Sequence, residues 1–286
     1  MNSGIISWVL TRMKNLESNF NFIILGAQLS VKINFSRESM ARLKSISFIH
    51  FDVIDSTNSW TKKNASTLDP NELTCITALE QTAGRGRFER KWHSPKGQNI
   101  YATLFFCLPL NSPYIINLGQ ILSISCITIL KKKGFHPQIK WPNDILLEGK
   151  KVAGILCETV CFEDRIGIAL GIGINVNMRQ ELLEMIDQPA TSLAQLSGQT
   201  WALEQVTEPI LKQFIEDLNI LESQGFEPFR KTYEDLLAFK GKTITCNDGQ
   251  RTIKGICHSI NACGRLNLLL PDGTIQTVSA GEVKLK

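Results

Sequence analysis

Residues 165–177 read Arg-Ile-Gly-Ile-Ala-Leu-Gly-Ile-Gly-Ile-Asn-Val-Asn and alternate between two kinds of side chain. The even positions carry Ile, Leu or Val, whereas the odd positions from 167 to 173 carry only Gly or Ala. Because successive side chains of a strand point to opposite faces, this pattern predicts a strand with a branched apolar face toward a core and a nearly bare second face. The bare face predicts close approach by a ligand or another backbone, with a bulge or a tight helix contact as the alternative.

A hairpin is predicted in residues 140–156, Lys-Trp-Pro-Asn-Asp-Ile-Leu-Leu-Glu-Gly-Lys-Lys-Val-Ala-Gly-Ile-Leu. Proline restrains its own backbone and that of the residue before it, so residues 141–144 are predicted to form a rigid turn that carries a carboxylate. Residues 148–150 are a tight connection between two apolar runs. Lys151 then stands at the start of the second strand, where ordered backbone could hold its ammonium in one place. The alternative is a solvated hairpin lysine.

A cationic loop is predicted at residues 84–92, Gly-Arg-Gly-Arg-Phe-Glu-Arg-Lys-Trp, where two glycines accompany five charged side chains. Glycine permits close backbone approach, and arginine offers a planar fork of donors that matches carboxylate and phosphate oxygens. The stretch therefore predicts a mobile loop that folds over an anionic ligand. A solvated surface loop or a nucleic-acid patch is the alternative, because short basic runs are weak signals.

Taken together, these stretches resemble the biotin protein ligase family. The loop at 84–92 resembles that family's Gly-Arg-Gly-Arg loop, and Asp-Ser-Thr-Asn at 55–58 matches the start of its catalytic domain. The segments that resemble family hallmarks, in the same order and with similar spacing, are 55–58, 84–92, 94–101, 140–144, 151–156 and 171–175. The resemblance spans roughly residues 46–286 and does not cover the first forty or so.

The resemblance implies an α+β fold in which a mixed sheet with helices, the biotin/lipoate ligase-like catalytic domain, is followed by a small SH3-like β-barrel. Residues 1–45 are then an N-terminal extension, 46–238 the catalytic domain and 239–286 the C-terminal domain. The sequence itself supports the last boundary. Beyond it, short apolar runs are divided by Asp-Gly pairs at 248–249 and 272–273, which is typical of a small barrel.

Two long helices are predicted. Residues 203–224 place Leu211, Phe214, Ile215, Leu218 and Leu221 on one helical stripe. Residues 115–130 are apolar but interrupted by polar side chains, which favours a buried helix over a membrane span. Lysines at 131–133 and a glycine at 134 mark its end.

The resemblance also implies a reaction. Biotin is activated with ATP to biotinyl-5′-AMP and pyrophosphate, and biotin is then transferred to a lysine of a biotin carboxyl carrier protein domain, such as an acetyl-CoA carboxylase subunit. Biotin and ATP are both anions, so cations and Mg²⁺ must screen their repulsion. The expected catalytic groups are Lys151, Arg87 and Arg85.

The resemblance assigns the remaining site residues to two groups. The biotin-binding group is Ser56, Thr57, Asn58, Gln81, Arg85, Gly86, Arg87 and Lys151. The nucleotide-binding group is Arg90, Trp92, Asn143, Asp144 and Asn175. No protein ligand set for Mg²⁺ is identified, so the ion is expected on the ATP phosphates, with Asn175 the one protein group placed near it.

Several of these residues have a second interpretation. Ser56 or Thr57 equally fits the N-cap of a helix through residues 60–63. Trp92 is of a type more often found in a core, and Arg90 could be simply solvated. At positions 88–89 the chain has Phe-Glu where the family more commonly has a basic residue and a glycine. The acidic Glu89 lowers the positive charge of the loop.

Composition fits an ordinary globular protein. The 286 residues are 43 % hydrophobic and 20 % charged, and the net charge of +4 is diffuse. The eight cysteines form no Cys-x-x-Cys pair, which favours reduced, mostly buried thiols in a cytoplasmic protein. No secretory signal is recognised, no membrane association is expected, and the chain is predicted to be a monomer or a weak homodimer.

Some family members carry a winged-helix DNA-binding domain before the catalytic domain. The stretch before Ser56 is short for such a domain and shows no recognition helix, although residues 36–43 look like a short helix. Specific DNA binding is therefore not expected. Two rival functions remain: lipoate or octanoate transfer, whose run of adjacent glycines and His-Asp pair are missing, and a transcriptional regulator that binds biotinyl-adenylate.

Overall fold

The computed structural model describes residues 20–25, 28–34, 45–249 and 251–286. The strands are β1 (Phe20–Leu25), β2 (Gln28–Asn34), β3 (Ser45–Ile54), β4 (Leu73–Gln81), β5 (Ile100–Pro109), β6 (Pro137–Lys140), β7 (Asp144–Leu147), β8 (Lys150–Cys161), β9 (Arg165–Ile174), β10 (Thr243–Asn247), β11 (Thr252–Ile260), β12 (Leu266–Leu269), β13 (Ile275–Val278) and β14 (Glu282–Leu285). The α-helices are α1 (Thr57–Asn64), α2 (Leu118–Lys132), α3 (Gln180–Leu183), α4 (Leu193–Ser197), α5 (Glu204–Gln224) and α6 (Glu227–Asp235). Short 3-10 helices cover Ala65–Thr67, Arg87–Glu89 and Ile115–Asn117.

Two sheets organise the chain. The larger has nine strands in the order β1-β2-β3-β4-β5-β9-β8-β7-β6, and it is mixed because β3 and β4 run parallel while the other neighbours run antiparallel. The smaller is antiparallel, in the order β13-β12-β11-β10-β14. The predicted α+β fold is confirmed: a mixed sheet with helices is followed by a second sheet that fits a small SH3-like barrel.

Strands β1 and β2 extend the larger sheet beyond β3. They pair antiparallel with each other, and β2 pairs with β3 from Leu29 opposite His50 to Asn34 opposite Ser45. Part of the N-terminal stretch that was expected to precede the catalytic domain therefore contributes strands to the same sheet. The short helix predicted at 36–43 lies outside the described residues.

The core lies between one face of the larger sheet and helices α2 and α5. All five stripe residues predicted on α5 are buried, and α2 is buried along most of its length. The segment Ile115–Lys132 is long and apolar enough to cross a membrane, but 67 % of it is buried inside this fold. The prediction of a buried helix over residues 115–130 is confirmed, and Gly134, with φ +89°, follows its end as expected.

Strand β9 lies near the middle of the sheet, between β5 and β8, with the predicted face in the core. Its bare face is covered by side chains from elsewhere in the chain. Asn58 on α1 lies against Gly171, and the indole of Trp92 lies against Gly173, where an added Cβ would come within 2.6 Å of Trp92 Nε1. The helix contact named as the alternative accounts for Gly171 in this structure and a side chain of the 84–92 loop for Gly173, while both glycines also line the cleft described below, so approach by a ligand at this face stays a prediction.

The hairpin at 140–156 is also confirmed. Strands β7 and β8 are joined by Glu148 and Gly149, whose φ values of 50° and 74° suit a tight two-residue connection. The turn at its start contains a cis peptide bond between Trp141 and Pro142. The hydroxyl of Tyr233 on α6 donates to the Pro142 carbonyl at 3.0 Å, which ties this turn to the helical layer.

The smaller sheet contacts the larger domain at α2 and at the 141–144 turn. Gln120 Nε2 donates to the Gly264 carbonyl at 2.6 Å, and Trp141 Nε1 reaches the same oxygen at 3.4 Å. An added Cβ at Gly264 would overlap the side chains of Gln120 and Asn117, so this contact needs glycine. The barrel is thereby held against the part of the sheet that carries the hairpin.

The eight cysteines are free thiols, and five of them are buried. Burial raises the pKa of Cys75 and of Cys126 to about 12, so these thiols stay protonated at neutral pH. This agrees with the prediction of reduced, mostly buried cysteines.

Candidate active site

A cleft of about 890 Å³, counted out to its open mouth, lies between the larger sheet, the 84–92 loop and the barrel. Every residue predicted for the site lines this cleft except Asn175. The predicted residues that it brings together are Ser56, Thr57, Asn58, Gln81, Arg85, Gly86, Arg87, Arg90, Trp92, Asn143, Asp144 and Lys151.

One side of the cleft is built on the start of α1. Ser56 Oγ accepts a hydrogen bond from the backbone N–H of Ser59 at 3.4 Å and is the N-cap of the helix. The N-cap interpretation of Ser56 is therefore confirmed, and the residue lines the cleft as well. Ser56, Thr57 and Asn58 are all buried, so the helix start is fixed within the sheet.

A chain of side-chain hydrogen bonds continues from this helix start. Gln81 Oε1 accepts from the backbone N–H of Thr57 at 2.9 Å, and its amide nitrogen donates to Ser94 Oγ at 2.9 Å. Thr103 Oγ1 lies 2.8 Å from Thr57 Oγ1 and 2.6 Å from Asn58 Oδ1. Buried polar groups that are fully hydrogen-bonded hold one arrangement, so this side of the cleft is preformed.

Lys151 reaches the cleft because strand β8 contains a bulge. Ile145 pairs with Ala153 but Leu146 pairs with Lys151, which leaves Val152 as the extra residue. A bulge re-aims the side chains that follow it, and here it places Lys151 on the same face as Gly154 and Asp144. The sequence alone did not indicate this bulge.

The Lys151 ammonium is held by two neighbours. Its Nζ lies 2.7 Å from Asp144 Oδ1, with both side chains at most 15 % exposed, and 5.3 Å from the centre of the Trp92 ring. Glycine at 154 leaves room for this group, because an added Cβ would come within 3.2 Å of Lys151 Nζ. The ammonium is therefore fixed in place, as an ordered strand end predicts.

The 84–92 loop closes the opposite side of the cleft. Arg87 Nη1 donates to Asn143 Oδ1 and to the Gly281 carbonyl, both at 3.1 Å, and so joins the loop to the hairpin turn and to the barrel. Burial lowers the pKa of Arg87, while the charges of Asp144 and Glu282 offset part of that shift. Its guanidinium nevertheless stays charged at neutral pH.

The tip of this loop has an unusual backbone. Phe88 and Glu89 have φ values of 56° and 55°, in the left-handed region that favours glycine, and Phe88 is 61 % exposed. These are the two positions at which the chain departs from the family pattern. The guanidinium of Arg87 stacks on the Phe88 ring with 4.9 Å to its centre.

The barrel contributes residues that sequence reasoning missed. Gly281, Glu282 and Val283 line the cleft, and Arg90 makes a two-pronged ion pair with Glu282 at 2.7 and 2.8 Å. The Arg90 hydrogen bond lowers the pKa of Glu282, which is therefore ionised at neutral pH. A contact between residues 192 positions apart leaves no local signal in the sequence.

Two buried donors in the cleft have no hydrogen-bond partner among the described residues, Arg85 Nε and Trp92 Nε1. The Nη atoms of Arg85 point to Glu158 and Glu89, at distances of 3.3–3.5 Å. An unpaired buried donor is costly, so these two atoms lack the partners that buried donors ordinarily have.

Asn175 lies outside the lining of the cleft. It is buried, and its side-chain amide donates to the Thr191 carbonyl at 3.1 Å. Its backbone also bonds to Val152 and Leu193. These contacts tie the end of β9 to the segment that leads into α4, which is a structural role rather than a ligand contact in this conformation.

Comparison with known proteins places the chain in a family. Residues 50–175 match the Biotin/lipoate A/B protein ligase family. The chain is 32 % identical to the bifunctional ligase/repressor BirA of Escherichia coli over 253 residues, covering 88 % of this chain and 78 % of that protein. It is 31 % identical to the biotin–[acetyl-CoA-carboxylase] ligase of Paracoccus denitrificans, covering 80 % of this chain and 96 % of that protein.

A solved structure shows the same fold. The biotin protein ligase from Aquifex aeolicus, in complex with biotin and ATP, superposes with a TM-score of 0.71 at 29 % identity and covers 84 % of this chain and 98 % of that one. The site geometry and these relatives together show that the chain belongs to the biotin protein ligases of the biotin/lipoate A/B protein ligase family.

Proposed function

We propose that this chain activates biotin with ATP to biotinyl-5′-AMP and then transfers biotin to a specific lysine of a biotin carboxyl carrier protein domain. The observation that carries the proposal is the convergence of Lys151, Arg85 and Arg87 on one cleft, which the hydrogen-bonded Thr57 and Gln81 also line. Three cations around one cleft suit a reaction that must bring two anions together.

In the first step, a carboxylate oxygen of biotin attacks the α-phosphorus of ATP, the bond to the bridging oxygen breaks, and pyrophosphate leaves. Lys151 is assigned to the developing charge on the α-phosphate, because Asp144 fixes its ammonium while two N–H donors remain available. Arg85 Nε and Trp92 Nε1 are assigned to ligand oxygens, since both are buried without a partner among the described residues.

In the second step, the neutral amine of the carrier lysine attacks the acyl carbon, AMP leaves with the electrons of the broken bond, and the amine loses a proton. The 84–92 loop is assigned to retaining the mixed anhydride between the two steps. Arg87 supports this role because it joins the loop to both Asn143 and Gly281 across the cleft. A closed loop excludes the water that would hydrolyse the intermediate.

Mg²⁺ enters the proposal with ATP, as the counter-ion of its phosphates. The cleft carboxylates Asp144 and Glu282 are each paired with a cation, Lys151 and Arg90 respectively. Within the segments that the structure describes, no group of three His, Cys, Asp or Glu could hold a metal ion. These residues do not fit a resident magnesium site, so no step is assigned to a protein-bound metal.

The proposed protein partner is a biotin carboxyl carrier protein domain, and the name of the Paracoccus relative gives acetyl-CoA carboxylase as the protein on which that enzyme acts. We assign residues 46–238 to the catalytic domain and 239–286 to the C-terminal domain, with β1 and β2 added to the catalytic sheet. The proposal places the enzyme in the cytoplasm, as a monomer or weak homodimer, and includes no specific DNA site and no membrane.

The test is a reaction of the purified chain with biotin, MgATP and a carrier domain. Pyrophosphate release and labelled biotin on the carrier lysine are the expected results. Labelled lipoate and octanoate, offered in parallel, should not be transferred. A chain that releases no pyrophosphate and labels no carrier contradicts the proposal, and adenylate that binds without transfer favours the regulator instead.

A further inference from the structure

Glu158 occupies the meeting point of three elements behind the cleft. Its carboxylate accepts hydrogen bonds from Asn58 Nδ2 at 3.0 Å, from Lys62 Nζ at 2.7 Å and from Arg85 Nη2 at 3.3 and 3.4 Å. Asn58 and Lys62 belong to α1, Arg85 to the 84–92 loop, and Glu158 itself to β8. One side chain therefore joins the helix, the loop and the sheet.

Glu158 acts on the cleft through its partners. It does not line the cleft itself, whereas Asn58 and Arg85 both do. By the two-residue period of β8, Glu158 shares a face with Gly154 and Leu156, which also line the cleft. The carboxylate thus lies directly behind the surface that a ligand would touch.

Glu158 fixes the direction of the unpaired donor of Arg85. The guanidinium is rigid and planar, so holding Nη2 sets where Nε points. The other partner of Arg85 is Glu89, which is 81 % exposed and lies at 3.4 Å, and such surface ion pairs are weak. The Glu158 side chain is only 19 % exposed, so it is the stronger of the two anchors.

Glu158 also completes the bonding of Asn58. The Asn58 amide nitrogen donates to Glu158 and lies near the carbonyls of Leu156 and Ala169, while its oxygen accepts from Thr103. Burial by itself raises the pKa of Glu158. Hydrogen bonds from Lys62 and Asn58 and the charges of Arg85 and Lys62 lower it by more, so the net shift of the pKa is downward. The group is therefore an anion at neutral pH, able to hold two cations at once.

We propose that Glu158 is a positioning residue of the adenylation step, whose carboxylate orients Arg85 and Asn58 at the biotin side of the cleft. The assignment rests on the proposed function, because only a ligand that meets Arg85 and Asn58 makes their orientation matter. Glutamine at 158 keeps the shape and one acceptor oxygen but loses the charge that holds Arg85. A neutral side chain in this place should leave Arg85 free to turn toward solvent.

The experiment measures pyrophosphate release as a function of biotin and of ATP for the wild type and Glu158→Gln. We expect the KM for biotin to rise about tenfold, as for the loss of one charged hydrogen bond, while the KM for ATP changes less than about twofold. The matched control is Glu163→Gln, the same chemical change at an exposed glutamate between β8 and β9, which should behave as the wild type.

A double-variant cycle separates positioning from general structural support. If Glu158 acts mainly through Arg85, the KM for biotin of the double variant Glu158→Gln with Arg85→Ala should rise much less than the product of the two single-variant increases. Effects that multiply in full would contradict the assignment, as would a Glu158→Gln enzyme with the KM of the wild type. Melting curves of every variant show whether each is folded.

Glu158→Asp keeps the experiment decisive if the glutamine variant does not fold. It retains the charge but withdraws it by one methylene group, so the KM for biotin should again rise, and an unchanged KM overturns the assignment. A wild-type chain that releases no pyrophosphate overturns the proposed function and the assignment with it. An active wild type with unchanged variants overturns the assignment alone.

Discussion

The two sides of the cleft are held by different kinds of contact. On the side of α1, Thr57, Asn58 and Thr103 are buried and bonded to one another. On the facing side, the 84–92 loop is half exposed, and ion pairs and contacts to the barrel hold it. Two of its residues, Phe88 and Glu89, have left-handed backbone.

This difference indicates how the work of binding is divided. A buried, fully bonded network presents one shape and needs no rearrangement when a ligand arrives. A loop whose ion pairs are partly exposed, as those of Glu89 with Arg85 and of Arg90 with Glu282 are, opens at lower cost, because such pairs contribute little in water. We therefore expect changes on the fixed side of the cleft to alter the chemical step, and changes on the loop to alter retention and release.

The largest effect is expected at Lys151, whose ammonium is held by buried contacts to Asp144 and Trp92, as the α1 side of the cleft is held by its own buried contacts. Replacing it with alanine removes a positioned charge, and adenylation should slow by about 10²–10³-fold, measured as pyrophosphate release in a single turnover. Lys150→Ala, at the exposed neighbouring position, should remain near the wild-type rate. Near-normal adenylation in Lys151→Ala would show that the residue is only a hairpin lysine.

Stability needs a separate control at this position. Loss of Lys151 leaves Asp144, a buried carboxylate, without its cation, so the single variant should also be less stable. The double variant Lys151→Met with Asp144→Asn removes both charges, and it should regain stability without regaining adenylation.

The next effect is expected at Arg87, on the loop. Arg87→Gly removes both bonds that join the loop to Asn143 and Gly281, so biotinyl-adenylate should leave roughly ten times faster. The escaped intermediate should label lysines of bystander proteins, detected by blotting for biotin. Arg251→Gly, in an exposed turn of the barrel, should cause no such labelling. Equal loss of adenylation and transfer, without bystander labelling, would show that Arg87 acts in the chemical step and not in retention of the intermediate.

A smaller effect is expected at Glu282. Glu282→Gln weakens the pair with Arg90, which lies partly in solvent, so the KM for ATP should rise only about two- to fivefold. Because Arg90 lowers the pKa of Glu282, the pair stabilises the fold above the ordinary glutamate pKa of 4.5, and this contribution is lost as pH falls through the folded-state value. The difference in melting temperature between wild type and variant should shrink below that pH. A difference that persists there would mean that the charge of Glu282 does not matter.

The smallest effect is expected at Glu89. Left-handed backbone costs a residue with a β-carbon about 1–2 kcal/mol, and Glu89→Gly relieves that strain. Glycine also raises the conformational entropy of the unfolded chain, which offsets much of the gain, so the melting temperature should change by no more than about 2 °C. Glu89→Gln is the matched control, because it removes the charge and keeps the backbone strain. Both variants should lower the KM for ATP slightly, and glycine more than glutamine. Identical behaviour would show that the left-handed backbone at 89 has no effect on the loop.

Local patterns predicted much of this structure. The alternation at 165–177, the Glu148–Gly149 turn and the stripe on α5 each depend on neighbours in the sequence, and each is found as predicted. The family resemblance also named twelve residues that line one cleft in the structure.

What the sequence did not indicate depends on pairing between distant segments. The extra residue at Val152 exists only relative to β7, and the Arg90–Glu282 pair exists only once the barrel has packed. Glu158 looks like any strand glutamate until α1 and the loop reach it. Asn175 was expected near phosphate because it ends a glycine-rich strand, yet its amide bonds to Thr191 instead.

The bulge in β8 decides which face of the sheet the Lys151 side chain is on. If the pleat ran regularly from Ala153, residue 152 would face the cleft and residue 151 would point toward the layer of α2. A chain that lacked one residue between the Glu-Gly turn and Gly154 would keep nearly all residues of the motif. Its lysine ammonium would nevertheless lie on the face of the sheet away from the cleft. For relatives of this protein, insertions and deletions between the Glu-Gly turn and Gly154 are therefore as informative about activity as the identity of the lysine.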